Sequence, residues 1–288
     1  MPTRSVAEAV RSVRAVLAEA GVDGPDAELL AAWATDRSLG ELRLDMAVGR
    51  ALEPEAESRL ADAVVRRARR EPLQRIIGVA PFRHVELAVG QGVFTPRPET
   101  EVLVDVVLEH LRGAGREPLV LDVGTGSGAV AISIAREAPR ARVVAVEASP
   151  AAFVWASRNV RELAPRVRLL HADARDLAAL DAIGVVPGSL QVLVSNPPYV
   201  PHAAIPADPE VRSHDPALAL YSGADGLDLV RSLAPLAADL LTPGGLVAFE
   251  HAEHQGAAIR GLLEDAGFHS ARTRQDLAGR DRVTSAVR

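Results

Sequence analysis

Two periodicities divide the chain. Over the first seventy residues apolar side chains recur every three or four positions, whereas beyond Glu101 they gather into short continuous runs. Val6, Val10, Val13 and Leu17 keep helical spacing, and Gly21 is placed to end that helix. Asp26 to Ala34 predicts a second helix, with Leu29, Leu30 and Trp33 as its buried face. Gly40 to Val48 and Pro54 to Arg70 complete a small helical bundle, which Pro72 closes. Residues 1–72 are therefore expected to form one domain and residues 73–100 a linker. Within that linker Val79 to Val89 alternates loosely around Phe82, as a hairpin would.

Residues 101–288 follow another pattern. Val120 to Val123, Arg142 to Val146, Val167 to His171 and Leu190 to Ser195 read as short apolar strands. A helix from Ala129 to Ala135 separates the first two. Helix and strand in alternation imply a parallel sheet covered on both faces. Asp225 to Leu241 is expected to be helical, and Gly244-Gly245 turns into a strand from Leu246 to Glu250. Gln255 to Ala266 predicts a last helix with Gly267 as its C-cap, before a closing hairpin from Ser270 to Val287. The stretch Ile205 to Tyr221, rich in Pro, Asp and His, is expected to be a loop on the substrate side. There is no internal repeat.

Composition narrows the chemistry. A chain of 288 residues at 48% hydrophobic can bury a full core in one large and one smaller domain. It has no cysteine, which removes disulfides, thiolate zinc sites and iron–sulfur clusters, and a cytoplasmic setting fits. All 32 basic residues are arginine, so Schiff-base and pyridoxal-phosphate lysine chemistry is excluded. A net charge of −6 argues against a broad nucleic-acid surface. No apolar run approaches the ~20 residues of a membrane helix. The N-terminus, Met1 to Glu8, lacks a signal-peptide core and is expected to begin an amphipathic helix.

The candidate chemistry lies at the C-terminal tips of the strands. Val120-Leu121-Asp122-Val123 runs into Gly124-Thr125-Gly126-Ser127-Gly128, whose glycines let the backbone approach a ligand closely. The following helix offers unpaired N–H groups at its start. The spacing G-x-G-x-G is not that of a dinucleotide fold, and no P-loop lysine is present. Glu147, about twenty positions past these glycines, suits a ribose diol by analogy with dinucleotide folds. Asp173, at the tip of the third strand with Ala174 after it, is a candidate for an adenine amino group. Asn196-Pro197-Pro198-Tyr199 follows the fourth strand. Two prolines with fixed φ stiffen this turn, so Asn196 Oδ1 and the Pro197 carbonyl would accept the two hydrogens of a planar NH2 group. Tyr199 would stack on that group's flat face. An ordinary strand-ending turn uses the same residue types, and it is the set of four strand tips that points to a site.

These residues carry a resemblance. From about Pro72 to its C-terminus the chain resembles the HemK/PrmC family of S-adenosylmethionine-dependent methyltransferases. Glu71 to Gly78 is similar to that family's interdomain segment, and Phe94-Thr95-Pro96-Arg97-Pro98-Glu99-Thr100-Glu101 to its PRPETE block. Asp215-Pro216-Ala217-Leu218, Gly223 to Leu227, Phe249-Glu250-His251 and Asp276 to Arg282 are similar to further blocks. The first seventy residues match only in helical character and length. The ribose-binding acid, often Asp in the family, is Glu147 here, and Ala174 stands where relatives can carry an aromatic residue. The resemblance implies an α/β fold with a Rossmann-like class I methyltransferase domain, a mostly parallel seven-stranded sheet, and a helical bundle for substrate recognition. It implies S-adenosyl-L-methionine as cofactor, held by Asp122, Gly124, Thr125, Gly126, Ser127, Gly128, Glu147, Asp173, Ala174 and Asn196. The implied reaction is methylation of the side-chain amide of the Gly-Gly-Gln glutamine in bacterial peptide-chain release factors. Asn196, Pro197, Pro198 and Tyr199 would be catalytic, and Arg97 and Glu99 would lie on the substrate side.

Alternatives stay open at this point. Asn-Pro-Pro-Tyr also serves exocyclic amines of adenine or guanine in nucleic acid, because the targets share a planar NH2 group. A ribosomal-protein glutamine is a second alternative substrate, and a non-catalytic adaptor with a vestigial cofactor site is a third reading. Arg66-Arg67-Ala68-Arg69-Arg70 is expected to be a solvated cluster that complements a helix dipole, with an acidic partner surface as its alternative. His251 and His254 flank Glu253, but no third ligand is evident and no metal is expected. Arg97 and Glu99 would otherwise form only a linker ion pair.

Overall fold

The computed structural model describes residues 4–288, so the Met1 to Thr3 start of the expected N-terminal helix lies outside the described residues. The chain divides into two compact units, one comprising the N-terminal part through Val79 with Ala207–His214, the other Ala80–Pro206 with Asp215–Arg288.

The first unit contains the helices Val6–Glu19, Asp26–Ala34, Leu39–Ala47, Pro54–Ala68 and Leu73–Ile77. Ser5 and Ser38 begin the first and third with reciprocal capping boxes. Each serine hydroxyl accepts from the N–H of a glutamate three residues on, and that glutamate accepts from the serine N–H. The second helix buries Ala27, Leu30, Ala31 and Ala34, while Leu29 and Trp33 are only half-buried. Small alanines let the neighbouring helices approach on that face, so the two larger side chains sit at its margin. Pro72 stands at the start of the short helix Leu73–Ile77, where its missing N–H costs nothing.

The arginine cluster is not simply solvated. Arg67 is buried, with Nε 2.7 Å from Asp26 and an amine 2.9 Å from Glu210, and Arg70 reaches Glu210 at 2.8 Å. Burial alone would raise the Glu210 carboxyl, but hydrogen bonds with Asp208, Arg70 and Arg67 hold it well below the ordinary range. Arg66 pairs with Glu71, and Arg69 stays exposed. The expected loop Ile205 to Tyr221 contains two short helices, Pro209–His214 and Ala217–Leu220.

The second unit opens with β1 (Val79–Phe82) and β2 (Val85–Ala88), a two-stranded sheet. Its main sheet comprises β3 (Leu119–Val123), β4 (Arg142–Glu147), β5 (Arg168–His171), β6 (Leu190–Ser195), β7 (Leu241–Glu250), β8 (His269–Gln275) and β9 (Asp281–Val287). These seven strands lie in the order β5-β4-β3-β6-β7-β9-β8, and only β9 runs antiparallel to its neighbours. Successive side chains point to opposite faces. Val120, Val143, Ala145, Val192 and Val194 face helices Glu101–Leu111 and Ala129–Glu137, while Leu121, Val144, Val146 and Leu193 face Asp228–Leu240 and Gly256–Asp265. Burial on both sides explains the continuous apolar runs. A fully buried side chain such as Leu121 contributes about 1.5–3 kcal/mol of transfer free energy. The amphipathic helix Pro150–Leu163, with Ala152 and Val160 buried and Arg158 and Arg161 exposed, adds to the first of these faces.

The strand order places the site. From β3 the chain moves outward to β4 and β5, then returns to β6 on the other side of β3. At such a reversal the connections leave in opposite directions and a crevice opens beyond the strand C-termini.

Candidate active site

Val123 pairs with Ser195 across β3 and β6, and with Val146 across β3 and β4. Gly124, Asn196 and Glu147 therefore leave three adjacent strands at one edge. The Ser195 hydroxyl donates to the Val123 carbonyl at 2.7 Å and ties two of these tips together.

The glycine turn is built by its own backbone. Gly124 N–H and Thr125 N–H both donate to the Val146 carbonyl, at 2.9 and 3.1 Å. Gly124 and Gly126 adopt left-handed φ of 68° and 61°, and a Cβ on either would meet only open space. That space is the floor of a pocket. Asp122, below the turn, accepts from Thr125 Oγ1 at 2.6 Å and from Ala131 N–H at 3.2 Å, and burial pushes its carboxyl up to about 7.

Both oxygens of Glu147 are held: Oε2 accepts from Gly126 N–H at 2.8 Å and Oε1 from Ser149 N–H at 2.7 Å. Burial raises this carboxyl, and the backbone donors partly offset the rise. Glutamate thus reaches back to brace the turn while facing the pocket.

The Asn196-Pro-Pro-Tyr turn is anchored from behind. Gln255 Nε2 donates to the Tyr199 and Asp225 carbonyls, each at 3.0 Å, and Gln255 Oε1 accepts from Ala252 N–H at 3.0 Å. Gly226 has φ of 82° and lies so close to this turn that a Cβ would stand 2.1 Å from the Tyr199 carbonyl oxygen. Asn196 Nδ2 donates to Thr100 Oγ1 at 3.3 Å. Desolvation and nearby Glu250 keep the Tyr199 hydroxyl neutral by raising its pKa well above the ordinary tyrosine range.

One pocket is lined by Asp122, Gly124, Thr125, Gly126, Ser127, Glu147, Asn196, Pro197, Pro198 and Tyr199, with Phe94, Thr100 and Leu218 completing its walls. Five other candidates do not line it. Gly128 packs beneath, where a Cβ would meet Ile132 at 2.9 Å. Asp173 is exposed and turned to Arg175, whose Nε donates at 2.9 Å, and this pairing lowers its carboxyl pKa despite an opposing desolvation contribution. Ala174 is buried in the core. Arg97 pairs with the buried Asp215 at 3.2 Å and lies 5.4 Å from the Phe94 ring centroid. It does not pair with Glu99 but supports the pocket wall that follows Asp215. Glu99 is half-buried and raises the Glu250 carboxyl electrostatically. His251 is fully buried, its Nε2 at 2.8 Å from Thr284 Oγ1 and its Nδ1 at 2.8 Å from the Ala252 carbonyl.

Sequence reasoning did not single out Thr100, Gln255 or Gly226 for the site. The blocks that carry Thr100 and Gly226 are visible in the sequence, but Gln255 has no local signal.

The residues fit S-adenosylmethionine: an open glycine floor, a braced carboxylate beside it, and apolar walls from Phe94, Val130 and Ala152. Comparison with known proteins agrees. Residues 8–78, which by sequence matched only in helical character, match the PrmC N-terminal domain model, and residues 120–198 match a methyltransferase domain model. A release factor glutamine methyltransferase of Corynebacterium glutamicum is 42% identical, over 98% of this chain and 98% of the relative. That of Streptomyces coelicolor is 44% identical, covering 94% of this chain and 93% of its own. A relative of the same name from Moorella thermoacetica is 43% identical over 99% and 98%. Among solved structures, the T. thermophilus 16S rRNA N2 G1207 methyltransferase, in complex with AdoMet and guanosine, superposes with TM-score 0.51. It is 22% identical, covers 73% of this chain and 49% of its own, and shows the shared fold. With identity sustained along nearly the whole length, two matched domains and a class I methyltransferase sheet, the chain belongs to the release factor glutamine methyltransferase family.

Proposed function

We propose that this enzyme transfers a methyl group from S-adenosylmethionine to the side-chain amide nitrogen of the Gly-Gly-Gln glutamine in peptide-chain release factors. The observation that carries the reading is the pairing of β3 with β6, which sets the cofactor-type glycine turn beside the amide-holding Asn196 turn in one pocket.

S-Adenosylmethionine, when bound, supplies a methyl group already activated on a sulfonium centre. The protein's task is alignment. Gly124 and Gly126 present bare backbone to the cofactor, and Glu147 offers its carboxylate to the ribose. Asn196 Oδ1 and the Pro197 carbonyl accept both N–H groups of the glutamine amide, which orients its nitrogen. The same two oxygens place partial negative charge beside that nitrogen as positive charge develops on it. Tyr199, neutral and desolvated, confines the amide plane. The methylated nitrogen is acidic enough to lose its proton late, so no dedicated general base is required. The N-terminal bundle (residues 1–72) serves substrate recognition, residues 73–100 link it to the catalytic domain (101–288), and the enzyme works in the cytoplasm without stable nucleic-acid binding. Among the described residues no helix is long and apolar enough to cross a membrane.

One observation favours the nucleic-acid alternative. Arg116, Arg140, Arg142, Arg166 and Arg168 gather around a second cleft, and none of them forms an ion pair among the described residues. Arg142 and Arg168 start β4 and β5, however, at the end of the strands opposite Glu147, roughly 16 and 10 Å from its level along strands rising about 3.3 Å per residue. The test incubates the protein with methyl-labelled S-adenosylmethionine and either a bacterial release factor or bulk tRNA, rRNA and DNA. One added methyl on the Gly-Gly-Gln glutamine, located by peptide mass spectrometry, is the expected result. Label only in nucleic acid overturns the proposal.

A further inference from the structure

Asn196 does not choose its orientation by itself. An amide has one acceptor and one donor end, and rotating it by half a turn would face the substrate with NH2, a donor against a donor. Behind Asn196 lie two acceptors drawn from distant parts of the chain. Thr100, on the pocket wall and buried, receives Asn196 Nδ2 at 3.3 Å. Glu250, at the end of β7 and 2% exposed, lies beside both, and the Thr100 hydroxyl and the Asn196 side chain each lower its carboxyl pKa as hydrogen-bonding neighbours.

The proton count follows. Thr100 has one hydroxyl hydrogen, and the ionised Glu250 carboxylate, which can only accept, takes it. The Thr100 oxygen is then left with lone pairs only, so it can accept from Asn196 but cannot donate to it. Asn196 Nδ2 therefore faces inward, and Oδ1 faces the pocket.

We infer that Thr100 and Glu250 are positioning residues, which lock the Asn196 amide so that its oxygen alone is presented to the substrate NH2 group. The inference rests on the proposed reaction and deepens it. It also accounts for a costly feature of the core. Glu250 Oε2 is buried without a hydrogen-bond partner, and such a group is normally avoided unless its other contacts are needed. Arg282 and Glu99 act on this carboxyl electrostatically, and Thr100 and Asn196 are the polar side chains beside it.

The test uses the full-length protein with Thr100→Val, Thr100→Ser and Glu250→Met, each assayed on a release factor. Thr100→Val is nearly isosteric and preserves packing, so loss of folding does not confound it. Thr100→Val and Glu250→Met are expected to lower kcat about tenfold or more, since an unrestrained amide spends much of its time turned the wrong way. The Kd for S-adenosylmethionine should change less than about twofold, because the glycine turn and Glu147 remain intact. Thr100→Ser keeps the hydroxyl and should restore most of kcat. A Thr100→Val enzyme within about twofold of wild type overturns the inference, as does a Thr100→Ser enzyme as slow as Thr100→Val. So does a cofactor Kd that weakens as much as kcat falls, which would mark a merely structural role. Failure of the wild-type enzyme to label a release factor would instead sink the underlying reading.

Discussion

Replacing Glu147 by glutamine tests the cofactor half of the site at a single pair of atoms. The carboxylate is already committed within the protein, with Oε2 on Gly126 N–H at 2.8 Å and Oε1 on Ser149 N–H at 2.7 Å. An amide of the same shape satisfies only one of these donors and turns its NH2 against the other. The unsatisfied contact, with Gly126 or with Ser149, costs about 1–3 kcal/mol and weakens the brace of a turn that has to be preformed. A ribose diol also loses a charged acceptor, and hydrogen bonds to charged groups are worth ~1.5–3 kcal/mol. The two losses overlap, because both act through one side chain, and a net 2–3 kcal/mol corresponds to a Kd about 30- to 150-fold weaker. Isothermal titration with S-adenosylmethionine or S-adenosylhomocysteine measures this directly. At saturating cofactor kcat should stay within about threefold of wild type, since Asn196 and Tyr199 are untouched. The pH dependence gives a second check. Burial raises the Glu147 carboxyl, so affinity carried by its charged form should begin to fall, on acidification, at a higher pH than for an ordinary glutamate. Glutamine has no such titration. A variant Kd within about twofold of wild type would refute the assignment of Glu147 to the ribose.

Three further outcomes are expected. Asn196→Ala should abolish methylation while leaving cofactor binding weakened but measurable by titration, and full activity would sink the proposed mechanism. Glu210→Ala leaves buried Arg67 with Asp26 as its remaining carboxylate and the Glu71 carbonyl, and breaking such a pair costs about 3 kcal/mol. Faster limited proteolysis within Ala207–His214 and a lower urea midpoint should follow, whereas unchanged values would show that the pair contributes nothing. Because the Glu210 carboxyl is held low, its contribution is present above the ordinary glutamate range and is lost as pH falls through its folded pKa. Glu250 has the opposite sign. Burial pushes it up to about 7, so the folded state keeps a proton that the unfolded chain releases from about pH 4.5 upward. Its contribution is fully present below that pH and lost as pH rises through about 7. Glu250→Gln should therefore flatten the fall in Tm between about pH 5 and 8, with Asp122 retaining part of the slope. An identical Tm profile in wild type and variant would contradict the burial assigned to this carboxyl.

The sequence by itself determined whatever depends on neighbours along the chain. The Gly124-Thr125-Gly126 turn and the Asn196-Pro-Pro-Tyr turn were legible because φ freedom and proline rigidity are properties of the local backbone. The strands were legible because burial on both faces demands continuous apolar runs, and Asp26–Ala34 was bounded correctly for the same kind of local reason. Its buried face was not, since Ala27 and Ala31 displaced Leu29 and Trp33 only once neighbouring helices were packed against it. Tertiary structure alone decided what stands behind the site. Thr100 and Asn196 lie 96 positions apart, Tyr199 and Gln255 are 56 apart, and Arg97 and Asp215 are 118 apart. Arg67 looked like a solvated cation at a helix end and became a buried partner of Asp26 and Glu210. The contacts behind the site are fixed by strand order and register, above all by the reversal between β3 and β6, and those of Arg67 by helix packing in the first unit. A short-range pattern states which residues can reach a strand tip, but only the sheet states which tips become neighbours.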